Sequence, residues 1–264
     1  MQQQKNLISW LVLIMYLAVA FFLISAKRSG VLCTDVQIVV VDTTDNFFIN
    51  QADILSALYD NVGVLKGMNI ENINSAQIET FIDKLPSVKK SEVYATLNGV
   101  LTIEIEQRNP IIRIFSADGK SYYIDEQGTV MPLSETFTPR VLVANGFIKE
   151  KIPYATIRSV RADVETLAAG ETSLLQNLYI MAKFINENDF WKAQIEQIYV
   201  TENNEFELVP KVGTHIIEFG GIDDYLEKFR KLKILYLEGF NNVGWNNYAT
   251  VNLKYKGQVV CKKR

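Results

Sequence analysis

LPSVKKSEVYATLNGVLTIEIEQRNPI, Leu85 to Ile111, decides how the rest of this chain is read. Val93, Ala95 and Leu97 alternate with Glu92, Tyr94 and Thr96, and Leu101, Ile103 and Ile105 alternate with Thr102, Glu104 and Glu106. Alternation of this kind marks two half-buried strands. Asn98-Gly99 between them suits both central positions of a type I′ turn, which predicts a hairpin with φ > 0 at both residues. The hairpin then runs into Glu106, Gln107, Arg108, Asn109 and Pro110 with more than half of the chain still to come. That cluster is either a catalytic site or the joint between two modules. Pro110 holds Asn109 extended, which favours a joint whose charges bond across it.

Upstream, VQIVVVD (Val36–Asp42) is β-branched and reads as a strand. Asn50 is a helix N-cap with Asp53 in the first turn, Leu55, Leu58 and Tyr59 on the apolar face, and Gly63 beyond the end. Asn74 and Gln77 stand in a capping-box relation. Ile78, Phe81, Ile82 and Leu85 follow at the spacing of one helical face, and Pro86 stops that helix. The order is strand, helix, helix, strand, strand. Two helices cover one face of such a sheet, and Thr102, Glu104 and Glu106 line the other.

Further upstream, Leu7 to Ala26 carries no charge. Twenty helical residues rise about 30 Å, the thickness of a hydrocarbon core. Trp10 sits near one end, Lys5 precedes the run and Lys27 and Arg28 follow it. Ser25-Ala26-Lys27 is a poor cleavage site, so the run reads as an uncleaved single span rather than a signal peptide. The tail 1–6 is too short to fold, and residues 27–35 serve as a linker. Leu32 before Cys33 does not suit lipidation of that cysteine.

Downstream of Pro110 the texture changes. Asp118-Gly119 signals a hairpin, and Tyr122–Ile124 and Thr129–Met131 flank Asp125-Glu126-Gln127-Gly128. IEQIYV (Ile195–Val200), EFELV (Glu205–Val209) and THIIEF (Thr214–Phe219) read as strands. One helix near Thr172 presents Leu174, Leu178, Met181 and Ile185. Another over 222–237 presents Ile222, Tyr225, Leu226, Phe229, Leu232 and Tyr236, with Gly239 as its stop. In the closing strand pair, Ala249, Val251, Leu253 and Tyr255 alternate with polar neighbours.

Composition narrows function. The net charge of −3 with no long basic run leaves no nucleic-acid face. Two cysteines, Cys33 and Cys261, make neither a disulfide framework nor a zinc site. His215 is the single histidine, so any Ser-His or Cys-His enzyme has to use it. Asp125-Glu126 and Asp223-Asp224 are explained by a turn and a helix start. No phosphate-binding glycine loop occurs. These residues predict no cofactor, metal or small-molecule substrate. A terminal strand, by contrast, is often a sheet edge able to take up a partner strand, and Gly257 leaves room for close backbone approach.

LPSVKKSEVY followed by a strand pair and E-x-R-N-P-I resembles the POTRA-type module of the cell-division protein family FtsQ (DivIB). YYIDEQGTV resembles the segment that follows this module in the family. NLKYKGQVV resembles its ending, with Asn252 and Lys254 where Asp and Arg are usual and Tyr255 matching. Ser87 stands where the family has tryptophan, and Gln107 separates the usual Glu-Arg pair. The resemblance implies an α+β protein: a tail over 1–6, a transmembrane helix over 7–26, a linker over 27–35, a POTRA-like domain over 36–108, and a mainly antiparallel β domain with flanking helices over 109–264. It implies a non-enzymatic bitopic scaffold in the inner membrane at the septum. The N-terminus is cytoplasmic, the body is extracytoplasmic, and the partners are FtsB-like and FtsL-like proteins bound through Tyr255, Lys256, Gly257, Gln258, Val259 and Val260. Glu106, Arg108, Asn109 and Pro110 are then the interdomain joint. The alternatives are a membrane-tethered POTRA protein of envelope assembly or secretion, and an extracytoplasmic enzyme using His215.

Overall fold

The computed structural model describes residues 10–21, 30–41, 48–134, 137–149 and 173–264, and the chain divides into two compact units, Met1–Gln107 and Arg108–Arg264. Residues 10–21 form helix α1, whose large apolar side chains from Trp10 to Phe21 are exposed. Among the described residues no helix is long and apolar enough to cross a membrane. The tail 1–6, both ends of the uncharged run Leu7–Ala26 and residues 27–29 lie outside the described residues.

The first unit has the expected order: β1 (Asp35–Val41), α2 (Gln51–Val62), α3 (Ser75–Ile82), β2 (Val88–Ala95) and β3 (Val100–Gln107). Asn50 and Asn74 cap α2 and α3 by accepting the N–H of Ala52 and Gln77. The sheet order is β1-β3-β2, with β1 parallel and β2 antiparallel to the central β3. Leu58, Ile78, Ile82, Val88, Leu101, Ile103 and Ile105 form its core, joined by the buried thiol of Cys33. Thr102 departs from the expected polar face: it is buried, because its central strand places it between Gln37 and Tyr94.

The hairpin turn also departs from expectation. Gly99 has φ 86°, but Asn98 does not have positive φ. Gly99 N–H donates to Thr96 O, and Thr96 N–H to Val100 O. This is a three-residue loop closed by a left-handed residue, not a type I′ turn. The same bonding recurs at Ser116–Lys120, Asp125–Thr129 and Thr201–Glu205, with Gly119, Gly128 and Asn204 left-handed.

The edge strand β2 is closed by its own unit. Asp83 Oδ1 accepts the backbone N–H of Ser91 at 2.7 Å and its hydroxyl at 2.8 Å, and Glu79 Oε1 accepts Val93 N–H at 2.8 Å. These N–H groups point away from β3. Glu79 on α3 and Asp83 at its C-terminal cap satisfy them with carboxylates and block further strand pairing there.

The second unit contains a nine-stranded sheet in the order β12-β11-β10-β9-β8-β7-β4-β5-β6. Its strands are β4 (Pro110–Phe115), β5 (Ser121–Asp125), β6 (Val130–Met131), β7 (Leu142–Gly146), β8 (Ile195–Val200), β9 (Phe206–Pro210), β10 (Ile216–Gly220), β11 (Tyr248–Asn252) and β12 (Val260–Lys263). The sheet is mainly antiparallel, as expected, but not wholly so: β4–β7, β7–β8 and β10–β11 are parallel. A parallel pair cannot be joined by a tight turn and needs a crossover. The chain between β7 and β8 carries α4 (Leu174–Asn186) and α5 (Asp189–Gln194). That between β10 and β11 carries α6 (Tyr225–Ile234), a π-helical segment (Leu235–Phe240) and a last turn (Asn241–Val243).

Local details differ from the sequence pattern in the second crossover. Asp224 is left-handed with φ 51°, so α6 starts at Tyr225 and Leu226 faces solvent. Gly239 does not end the helix. It lies inside the π-helical segment, which turns both Tyr236 and Phe240 into the core, and the stop is Gly244 at φ 90°.

Candidate functional site at the C-terminal sheet edge

β12 is the terminal strand of its sheet, paired on one side with β11 through Asn252↔Val260, Val251↔Cys261 and Thr250↔Lys262. Arg264 N–H donates to Asn247 O, which fixes the alternation of the strand. Backbone groups point to opposite sides at successive residues of a strand. Val260 and Lys262 therefore face β11, and Cys261 and Lys263 turn their N–H groups outward. Among the described residues no strand pairs with the outer side of β12, and no carboxylate caps it as Glu79 and Asp83 cap β2.

The expected partner-binding residues lie together but mostly ahead of the strand. Tyr255, Lys256, Gly257, Gln258 and Val259 belong to the loop 253–259, and only Val260 is in β12. The alternation read from Ala249 to Tyr255 stops at Asn252, because the next residues are tied elsewhere: Leu253 N–H donates to Glu218 O, and Leu253 is fully buried. Gly257 has φ 74°, which turns the loop back toward β12. Tyr255 and Val260 are exposed, whereas Val259 and Cys261 pack against the core.

Lys231 on α6 holds this loop and carried no sequence signal. Its Nζ donates to Tyr255 O at 2.8 Å and lies 3.3 Å from Gln258 O and 3.4 Å from Leu253 O. Lys254 pairs with Glu205, a bond that raises its pKa. Burial lowers the pKa of Lys228, whose Nζ donates to Gly221 O. Beside the loop lies a recess of about 550 Å³, lined in part by Asp223, Asp224, Glu227, Lys228 and Lys254. Its walls carry both signs of charge, which suits polar peptide groups better than an apolar ligand.

The residues expected at the joint bond within their own units. Glu106 pairs with Lys89 at 2.6 Å on the first sheet. Arg108 donates to Asp125 at 2.9 Å and to Thr129 at 3.2 Å, with side chains 10% and 2% exposed in the Arg108–Asp125 pair. Asp125 also accepts the N–H groups of Gln127 and Thr129. Asn109 bonds Glu126, and Pro110 opens β4 opposite Asp125. The acidic pair Asp125-Glu126 thus anchors the start of the second unit through a turn.

His215 lies just before β10 rather than within it, and is 1% exposed. Its Nε2 is 2.9 Å from Tyr236 Oη, and the rings of Tyr236 and Phe240 meet it edge-on. Burial, with the nearby Arg264 charge, lowers its pKa to about 4. The imidazole is packed among aromatic rings and held neutral at pH 7. Among the described residues no group of His, Cys, Asp and Glu is arranged to hold a metal.

Comparison with known proteins agrees with this architecture. The model of the family described as FtsQ/DivIB, C-terminal related, matches residues 109–262, more than half of the chain. A POTRA-like domain model matches residues 31–106. The chain is also 24% identical over 209 residues to the cell division protein FtsQ of Geotalea daltonii, covering 78% of this chain and 70% of that relative.

Proposed function

The chain belongs to the FtsQ/DivIB family, and from that membership we propose that it is a non-enzymatic, membrane-anchored scaffold of the bacterial division machinery. The uncharged run Leu7–Ala26 anchors it, and the body beyond the run is extracytoplasmic. The body recruits division proteins of the FtsB and FtsL kind at the septum. The observation that carries this reading is the open edge of β12, where Cys261 and Lys263 present backbone N–H groups to solvent. A partner strand adds there, its main chain supplying affinity. Tyr255, Lys256, Gly257 and Gln258, held by Lys231, give side-chain contacts at the strand's start, and Val259 and Val260 lead into it.

Proline substitution tests the mechanism, because proline removes the N–H. Lys263→Pro deletes an outward donor and leaves the β11 ladder intact. Partner capture from native membranes should fall strongly while circular dichroism is unchanged. Lys262→Pro, which faces β11, should disturb the fold instead. A folded Lys263→Pro and a folded Cys261→Pro that both bind like the parent would rule out strand addition. Depletion of the protein should give filamentous cells, and an envelope-assembly defect without filamentation would favour the other POTRA role.

A further inference from the structure

We propose that the hairpin tip and the 63–69 loop of the first unit form a collar seated in the interfacial zone of the lipid bilayer, a reading that rests on the anchor proposed above. Residues 31–34 are laced on one side to the loop that follows α2. Cys33 N–H donates to Met68 O and Gly67 N–H to Cys33 O, both at 2.8 Å, and Ile70 N–H donates to Val31 O at 3.0 Å. On the other side Thr34 N–H donates to Gly99 O at 2.8 Å. The place where the chain enters the unit is therefore also the place where these two segments meet.

Both segments leave large apolar side chains uncovered. Leu97 is 79% exposed, Val64 68% and Leu32 54%, with Tyr94 and Met68 also exposed. Single exposed apolar residues are ordinary. These gather at one end of the unit, beside a recess of about 590 Å³ lined in part by Val31, Ile70, Tyr94 and Leu97. The far end of the same hairpin is charged, with Lys89, Lys90 and Glu106. A gathered apolar surface at one end marks an interaction site.

The chain itself identifies the occupant. The uncharged run ends at Ala26, and Gly30 is four residues on. Four extended residues span at most about 14 Å. The polar zone on each side of the hydrocarbon core is roughly 5–8 Å deep. The collar is thus tethered within reach of the headgroups, with Lys27 and Arg28 between it and the run. Basic residues next to a span favour anionic headgroups, and tyrosine favours the interfacial zone. On the collar itself Lys66 pairs with Asp35 at 3.7 Å and adds no net charge, so the apolar side chains carry the contact.

The test uses the full chain reconstituted into vesicles of phosphatidylethanolamine and phosphatidylglycerol. A benzophenone-bearing residue is placed in turn at Leu97, Val64, Lys89 and Tyr16, all outside the core. After illumination, lipid adducts are counted by mass spectrometry. Adducts at Tyr16, Leu97 and Val64, several-fold above those at Lys89, support the collar. Adducts at Tyr16 with Leu97 and Val64 no higher than Lys89 overturn the collar and leave the anchor standing. No adducts at Tyr16 remove the anchor and the collar with it. Cross-links from Leu97 to protein in place of lipid also overturn the proposal.

Discussion

The ammonium of Lys231 donates to the carbonyl oxygen of Tyr255 at 2.8 Å, and the same nitrogen lies near the carbonyls of Gln258 and Leu253. One cation thereby gathers the turn that leads into β12. Lys231→Met keeps the apolar stem and the helix propensity but removes the donor. Bonds to a charged group are worth roughly 1.5–3 kcal/mol when buried, and less at this half-buried site. The expected result is faster amide exchange across 255–259 and several-fold weaker partner capture, with a melting temperature only slightly lowered. Unchanged exchange in the loop would remove Lys231 from this role.

Gly99 and Asn98 should respond in opposite ways. A Cβ on Gly99 would lie 2.4 Å from Leu32 O, and φ is 86° there. Gly99→Val should cost about 2–3 kcal/mol or more, through both strain and collision. Asn98 has ordinary φ, so Asn98→Ala should stay within about 0.5 kcal/mol. Thermal melts of the two variants check this. A large loss from Asn98→Ala would restore the type I′ turn.

Asp83 accepts two bonds from Ser91 and shields the β2 edge. Asp83→Ala leaves a backbone donor without its partner, at about 1–3 kcal/mol. It also reopens an edge, so the variant should self-associate. Denaturant melts and sedimentation velocity measure both effects. A variant that is as stable and as monomeric as the parent would contradict the shielding role.

His215 makes stability depend on pH. Its folded pKa is lowered to about 4, against about 6.5 when unfolded. The unfolded chain therefore binds more protons between those values, and stability rises with pH there. The contribution is fully present above about pH 6.5 and is lost as pH falls toward 4, with a slope of at most about 1.4 kcal/mol per pH unit. Urea denaturation at a series of pH values should show this slope, and His215→Gln should flatten it. An equal slope in the variant would assign the effect to other groups.

The strand-helix-helix-strand-strand order of the first unit was legible because alternation, caps and breakers act within a few residues of one another. Asn50, Asn74 and the run from Val93 to Ile105 carry that information locally. The type of turn at Asn98-Gly99 was not legible, since the same dipeptide fits two loops and the pairing of Thr96 with Val100 selects one. Gly239 carried a stop signal that packing overrode, because Tyr236 and Phe240 both gain burial when the helix widens around it.

The candidate site divides in the same way. Its location at the C-terminal strand pair could be read from the chain, because a last strand tends to be an edge. Which side of β12 is open, that Cys261 and Lys263 rather than Val260 point outward, and that Lys231 holds the preceding loop were decided only by tertiary structure. Lys231 and Tyr255 are far apart in sequence, and the direction of an N–H depends on the neighbouring strand, which local periodicity does not encode. Sequence by itself determined where strands and helices form. Long-range pairing decided which strand is left at the edge and which of its backbone groups point away from the sheet.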